Sequence, residues 1–261
     1  GQESNYQSCA KVFERKFCQT MPELPEIETI KLQLQKVLVG QICAKCQVLG
    51  AKSITNNLKE IEGKEVKEVK RRGKVLLINF GRDLDLGFHF KMTGQLIYVP
   101  SAKGQGLSAR VVGGHPTSDF VDKMPGRHTR AMFHLSGGTL YFNDMRKFGW
   151  VRINPEFTST LGEDALKITT LKKSKKPIKM AIMDQTLIAG VGNIYANDAL
   201  WESYINPKLP SNQLTNNQVT TLLVKLKLVL REGIKYGGAS ISDYVNTYGI
   251  GGTYQDHMRV Y

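Results

Sequence analysis

Cysteine is scarce in this chain: four among 261 residues, at Cys9, Cys18, Cys43 and Cys46, with none in the remaining 215 positions. That scarcity excludes a disulfide-stapled scaffold. Cys43 and Cys46 form a C-x-x-C, the spacing of half a zinc site or of a redox pair. No second pair follows and no histidine lies nearby, so two ordinary reduced cysteines are the expected reading. Long apolar runs are also missing. None reaches the roughly 18 residues needed to cross a bilayer, and no secretory segment opens the chain, so a cytoplasmic protein without membrane contact is expected. Internal repeats and low-complexity linkers are absent too, which excludes solenoids and tethered arrays. Acidic residues are in deficit: 23 against 36 basic ones, a net charge of +13. Such a surplus favours a polyanionic partner, of which nucleic acid is the commonest.

What is present divides by texture. Residues 1–20 mix polar and aromatic groups and read as an extension, non-native or removed by processing. From Pro25, the apolar spacing of Ile27, Ile30, Leu34, Val37 and Leu38 predicts a helix ended by Gly40. Short apolar runs follow. Val75–Phe80, Leu84–Val99, Arg130–Leu135, Thr139–Phe142 and Trp150–Ile153 read as strands. After Pro155 the pattern is helical again. A helix should start near Gly192-Asn193, and Thr215-Asn-Asn-Gln218 has the form of a capping box ahead of a stripe from Val219 to Leu230. Residues 239–261 read as loop plus a strand. The expected fold is α+β in two domains: residues 21–153, a β-sandwich with one N-terminal helix, and residues 154–261, helical.

Met21-Pro-Glu-Leu-Pro-Glu26 carries chemistry as well as a helix start. Methionine followed by proline is a context in which an initiator methionine is removed, and removal would leave a secondary amine. An α-amino group titrates near about 8, against about 10.4 for lysine, so it is a usable nucleophile near neutrality. A carboxylate beside it could donate the proton that opens a sugar ring.

Five segments in order resemble the formamidopyrimidine-DNA glycosylase family, of the wider group that includes endonuclease VIII. They are Met21-Pro-Glu-Leu-Pro-Glu-Ile-Glu-Thr29, Lys70-Arg-Arg-Gly-Lys-Val-Leu-Leu77, His89-Phe-Lys-Met-Thr-Gly94, Asn143-Asp-Met-Arg-Lys-Phe-Gly149 and Ile188-Ala-Gly-Val-Gly-Asn-Ile-Tyr-Ala196. The resemblance implies a helix–two-turn–helix in the second domain, and a glycosylase with abasic-site lyase activity. Oxidised purines such as 8-oxoguanine and formamidopyrimidines in double-stranded DNA would be its substrates. It implies Pro22 as nucleophile, Glu23 as general acid, Lys74 as the ammonium assisting β-elimination, and Glu26 in the lesion pocket. Met92, Arg146 and Phe148 would fill the gap left by a flipped nucleotide. His89, His128, Lys147, Lys175, Lys179 and Asn193 would contact phosphates, Asn193 from a helix start, with Lys172-Lys-Ser-Lys-Lys176 adding salt-sensitive attraction. Residues 237–254 resemble a loop closing over the lesion. The residues alone leave other readings open. By itself Lys74 reads as a solvated member of the charged run 59–74, and Met92 and Phe148 as core residues.

Two departures matter. Such proteins usually continue past a Gln-x-x-x-x-Val-Tyr segment into a four-cysteine zinc finger. Here Gln255-Asp-His-Met-Arg-Val-Tyr261 is present and no cysteine follows, so truncation is expected, with zinc only if the native chain continues. While residues 1–20 remain attached, the Pro22 nitrogen is an amide and covalent catalysis should fail. A non-catalytic binder of damaged duplex is therefore the alternative, as is a pyrimidine-preferring enzyme like endonuclease VIII. An RNA-binding module has only charge in its favour. A monomer is expected.

Overall fold

The computed structural model describes residues 21–50, 54, 58–101, 111–114, 123–239 and 252–260. Helix α1 (Leu24–Leu38) starts where the sequence predicts. Glu23 is its N-cap, and the Glu23 and Glu26 side chains take each other's backbone N–H in a reciprocal capping box. Gly40, at φ +86°, turns the chain away at the far end. The buried stripe is split between two cores. Ile27, Ile30, Leu34 and Leu38 pack into the sandwich, whereas Leu24 belongs to the core of the helical half. The first turn of α1 is thereby fixed at the junction of the two halves.

The sandwich consists of two antiparallel sheets. Strands β1 (Cys43–Val48), β2 (Glu68–Arg72), β3 (Val75–Asn79), β4 (Asp85–His89), β5 (Gly94–Pro100), β6 (Val111–Gly114), β7 (Thr129–Leu135), β8 (Gly138–Asp144) and β9 (Trp150–Ile153) form it. One sheet runs β1-β7-β8-β5-β6 and the other β2-β3-β4-β9. Between them, Phe88 meets Phe133 edge to face at 5.7 Å.

The expected single run Leu84–Val99 needs correction, because it is two strands in different sheets. The chain crosses between sheets at residues 90–93, and Gly94 N–H closes the turn on the Phe90 carbonyl at 2.8 Å. A side chain at Gly94 would sit 2.5 Å from that oxygen. A second crossing, at residues 145–149, joins β8 to β9. Alternation of apolar residues continues across such a corner, so periodicity does not reveal it. Strands β1 and β2 escape prediction for another reason: each buries only one side chain, Cys43 and Val69, and β2 lies inside the charged run.

The second half carries a two-stranded parallel pair, β10 (Glu163–Asp164) and β11 (Ile188–Ala189), with helices α2 (Ile178–Met183), α3 (Asn193–Glu202) and α4 (Asn216–Lys235). The predicted capping box holds α4: Gln218 N–H donates to Thr215 Oγ1 at 3.2 Å and Thr215 N–H to Gln218 Oε1 at 2.9 Å. Gly237 and Gly238, at φ +75° and +90°, end the helical path. Of the strand expected in 239–261, the described residues hold an isolated bridge between Ala239 and Thr253 and a 3-10 turn over residues 254–257. Much of the expected closing loop, residues 240–251, lies outside the described residues, as do residues 1–20.

Arg71 fastens the halves together. It is 6% exposed and reaches Glu28 on α1 and Asp164 on β10, both at 2.7 Å. Among the described residues, no helix is long and apolar enough to cross a membrane.

Candidate active site

The start of α1 and the start of α3 meet end to end. Glu23 is buried, and its two carboxylate oxygens accept the Gly192 N–H at 2.8 Å and the Ile194 N–H at 2.9 Å. A Cβ at Gly192 would lie 2.3 Å from the Glu23 carboxyl carbon, so glycine is required for this approach. Burial pushes the Glu23 carboxyl up to about 7. Lys74 and the two N–H groups oppose the rise, and neighbouring Glu26 adds to it. A carboxyl poised near neutrality is a competent proton donor.

Glu26 is buried one turn away. Its oxygens accept the Tyr195 hydroxyl at 2.8 Å, the Ala239 N–H at 2.8 Å and the Glu23 N–H at 2.9 Å. Burial raises its pKa against those three donors. Lys74 follows the tight turn at Gly73, φ +57°, between β2 and β3. Burial lowers its pKa, Glu23 and Glu26 pull it back up, and Lys91 lowers it further. Lys74 is thus electrostatically coupled to the carboxylates rather than a solvated member of a charge run. Pro22 is buried beside Glu23, its nitrogen acylated by Met21 in this chain.

The two sheet crossings form a second cluster. Arg146 reaches the Met92 sulfur at 3.7 Å and lies 5.1 Å from the Phe148 ring centre. Phe148 is 55% exposed and Met92 half-buried, so neither is the core residue that composition allows. Thr93 and Asp144, buried and hydrogen-bonded to each other, stitch the crossings. Thr93 Oγ1 accepts Arg146 N–H at 3.0 Å, and Asp144 Oδ2 accepts Gly149 N–H at 2.7 Å.

His89, His128 and Lys147 surround these crossings. His89 is held neutral, its pKa pushed down to about 3 by burial and by Lys91 and Lys74, and its Nδ1 accepts Lys91 N–H at 3.1 Å. The His128 carbonyl accepts Asp144 N–H at 2.9 Å. Lys147 is exposed at φ +59°. Asn193 opens α3 between the two N–H donors to Glu23. Lys175 lies before α2 and Lys179 within it. Sequence reasoning missed Tyr195, Thr93 and Asp144. All three lie within the motif segments, but a residue that supports another group leaves no pattern of its own.

Cys43 and Cys46 lie across a bulge in β1, with sulfurs 3.6 Å apart. No group of three His, Cys, Asp or Glu residues suited to a metal occurs among the described residues.

A β-sandwich joined to a helical half, with an acid at the joint and an arginine and a phenylalanine on exposed corners, defines a class of two-domain proteins. The Formamidopyrimidine-DNA glycosylase N-terminal domain model matches residues 21–151, and the Formamidopyrimidine-DNA glycosylase H2TH domain model matches residues 154–245. The formamidopyrimidine-DNA glycosylase of Ligilactobacillus salivarius is 33% identical over 92% of this chain and 87% of its own. Two solved structures of Lactococcus lactis FPG are similar. A mutant bound to Fapy-dG containing DNA gives a TM-score of 0.73 at 28% identity, covering 91% of this chain and 87% of that one. A complex with abasic site containing DNA gives 0.72 at 27%, covering 90% and 86%. The chain belongs to the formamidopyrimidine-DNA glycosylase family.

Proposed function

We propose that this protein repairs DNA as a bifunctional glycosylase and abasic-site lyase acting on oxidised purines in duplex DNA. The observation that carries the reading is the Glu23 carboxyl, buried beside Pro22 and titrating near neutrality. With the Pro22 nitrogen freed, its lone pair attacks C1′ of the deoxyribose, and the base leaves with the electron pair of its C1′ bond and takes up the proton that the Pro22 nitrogen sheds. Glu23 gives its proton to the ring oxygen, the C1′–O4′ bond opens, and an iminium links C1′ to nitrogen. Loss of a C2′ proton then expels the 3′ phosphate, with the Lys74 ammonium offsetting the charge that develops. A second elimination releases the 5′ phosphate. No step in this sequence of events uses a metal.

Glu26, tied to the Gly238–Ala239 turn, would shape the lesion pocket. Met92, Arg146 and Phe148 would occupy the vacated stack, offsetting the few kcal/mol that unstacking costs. His89, His128, Lys147, Lys175, Lys179 and Asn193 would hold phosphates. The relatives solved with Fapy-dG and abasic-site DNA support this substrate class. The test is nicking of an 8-oxoguanine duplex by a chain beginning at Pro22, beside a Pro22→Gly control and a duplex carrying an oxidised pyrimidine. Nicking of the 8-oxoguanine strand by the first chain alone is expected. Faster cutting of the pyrimidine lesion would move the assignment to that branch.

The acylated Pro22 nitrogen motivates one second reading, a binder of damaged duplex without covalent chemistry. Tight binding with no product from a chain that begins at Pro22 would establish it.

A further inference from the structure

Three residues that this chemistry leaves unused face the same space as Lys74. Strand β9 turns Val151 and Ile153 into the sandwich core, so Trp150 and Arg152 occupy the opposite face of the sheet. There His89 pairs across from Trp150, and Gly87 from Arg152. Trp150 is fixed in place, edge-on to Phe157 at 5.0 Å and tilted against His89 at 5.6 Å. The Arg152 guanidinium rests over it, 5.0 Å from the ring centre.

Arg152 Nε is buried and has no hydrogen-bond partner among the described residues. A buried donor without an acceptor is rare enough to call for an explanation. Arg152 lines a cleft of about 370 Å³ together with Met21, Lys74, His89 and Lys91, and no carboxylate is among the described lining residues. Lys91 adds a second anomaly. Its backbone is left-handed, φ +50°, a conformation that glycine adopts freely and lysine does not. Three cations thus border one concave space, one of them an arginine held on an aromatic shelf. Planar guanidinium plus ammonium is phosphate-binding chemistry.

We propose that Arg152, seated on Trp150, and Lys91 form a phosphate subsite for the lesion-bearing DNA strand, next to Lys74. It adds to the phosphate contacts drawn from the motif residues. The proposal rests on the DNA-repair reading for its ligand, but it requires only binding and not catalysis.

The test measures affinity of the full chain for a duplex carrying an uncleavable tetrahydrofuran abasic analogue, as a function of salt, for the parent, Arg152→Gln and Lys91→Gly. Lys91→Gly relieves the left-handed lysine, so its fold should persist, and thermal melting checks both variants. Each variant should bind several-fold more weakly at low salt, and its slope of log affinity against log salt should be shallower by about 0.9, one phosphate's worth. A scan of single methylphosphonates along the lesion strand should find one position that weakens the parent but not Arg152→Gln. Unchanged slopes in both folded variants, or a methylphosphonate penalty equal in all proteins, would overturn the proposal. Inorganic phosphate competing equally at every strand position, without coupling to any one, would mean that the cleft takes the free ion and would overturn it too. Parallel nicking assays with chains beginning at Pro22 separate the two claims. Absent nicking with altered slopes sinks the catalytic reading alone.

Discussion

The two clusters of the site are built in opposite ways. At the junction of the halves, Glu23 and Glu26 are buried, and backbone N–H groups or a tyrosine hydroxyl satisfy them from three directions. At the sheet crossings, Arg146 and Phe148 are exposed, and the Arg146 guanidinium touches the Met92 sulfur and the Phe148 ring. A proton donor must stand within a fraction of an ångström of its target, so its surroundings over-determine it. A group proposed to slide into a vacated base stack needs an exposed side chain on a fixed backbone, and Thr93 and Asp144 fix the backbone here. Rigidity goes where bonds change and freedom goes where the substrate is reshaped.

The largest test of that contrast removes the proposed proton donor. Glu23→Gln, in a chain beginning at Pro22, should slow strand cleavage by about 10²–10⁴-fold while leaving duplex affinity nearly unchanged. Single-turnover cleavage by the unmutated chain should fall as pH rises past about 7, because the donor is the protonated carboxyl and burial places its titration there. That limb should vanish in the Gln variant. Asp164→Ala attacks the fastening rather than the chemistry. It leaves Arg71, 6% exposed, with one carboxylate partner, and should cost about 1.5–3 kcal/mol in denaturant unfolding. Gly192→Ala pushes a methyl group into the Glu23 carboxyl. It should cut the rate about 10²-fold, the penalty for a misplacement near 1 Å. Arg146→Ala is the mildest: stability within about 0.5 kcal/mol of the parent, as for exposed positions, with weaker binding confined to lesion duplex. A stability loss at Arg146 as large as that at Asp164 would dissolve the distinction between the two clusters.

Much of the framework was legible in the sequence, whereas the contacts that build the candidate site were not. Capping residues, helix stripes and most of the central strands were legible because local propensity and tertiary packing agree there. The corner at residues 90–93 was not, since alternation persists while the chain changes sheets. Strand β2 was hidden by its charges: Arg71 pairs with Glu28 and Asp164, and Arg72 donates to the Leu161 carbonyl, rather than filling a core. Pro22, Glu23 and Lys74 were named from motif resemblance, but nothing in residue order showed that Glu23 would receive two N–H groups from residues 192 and 194. Such contacts join segments about 170 residues apart, and only the fold brings them together. Arg152 and Trp150 read simply as strand residues until their shared face became visible.

The most direct measurement is borohydride trapping on an 8-oxoguanine duplex, followed by mass analysis of the DNA-linked peptide. The account predicts a trapped complex joined through the Pro22 nitrogen when the chain begins there, and none while Met21 acylates it. A covalent adduct formed equally by the acylated chain, or one mapped to a lysine, would contradict it.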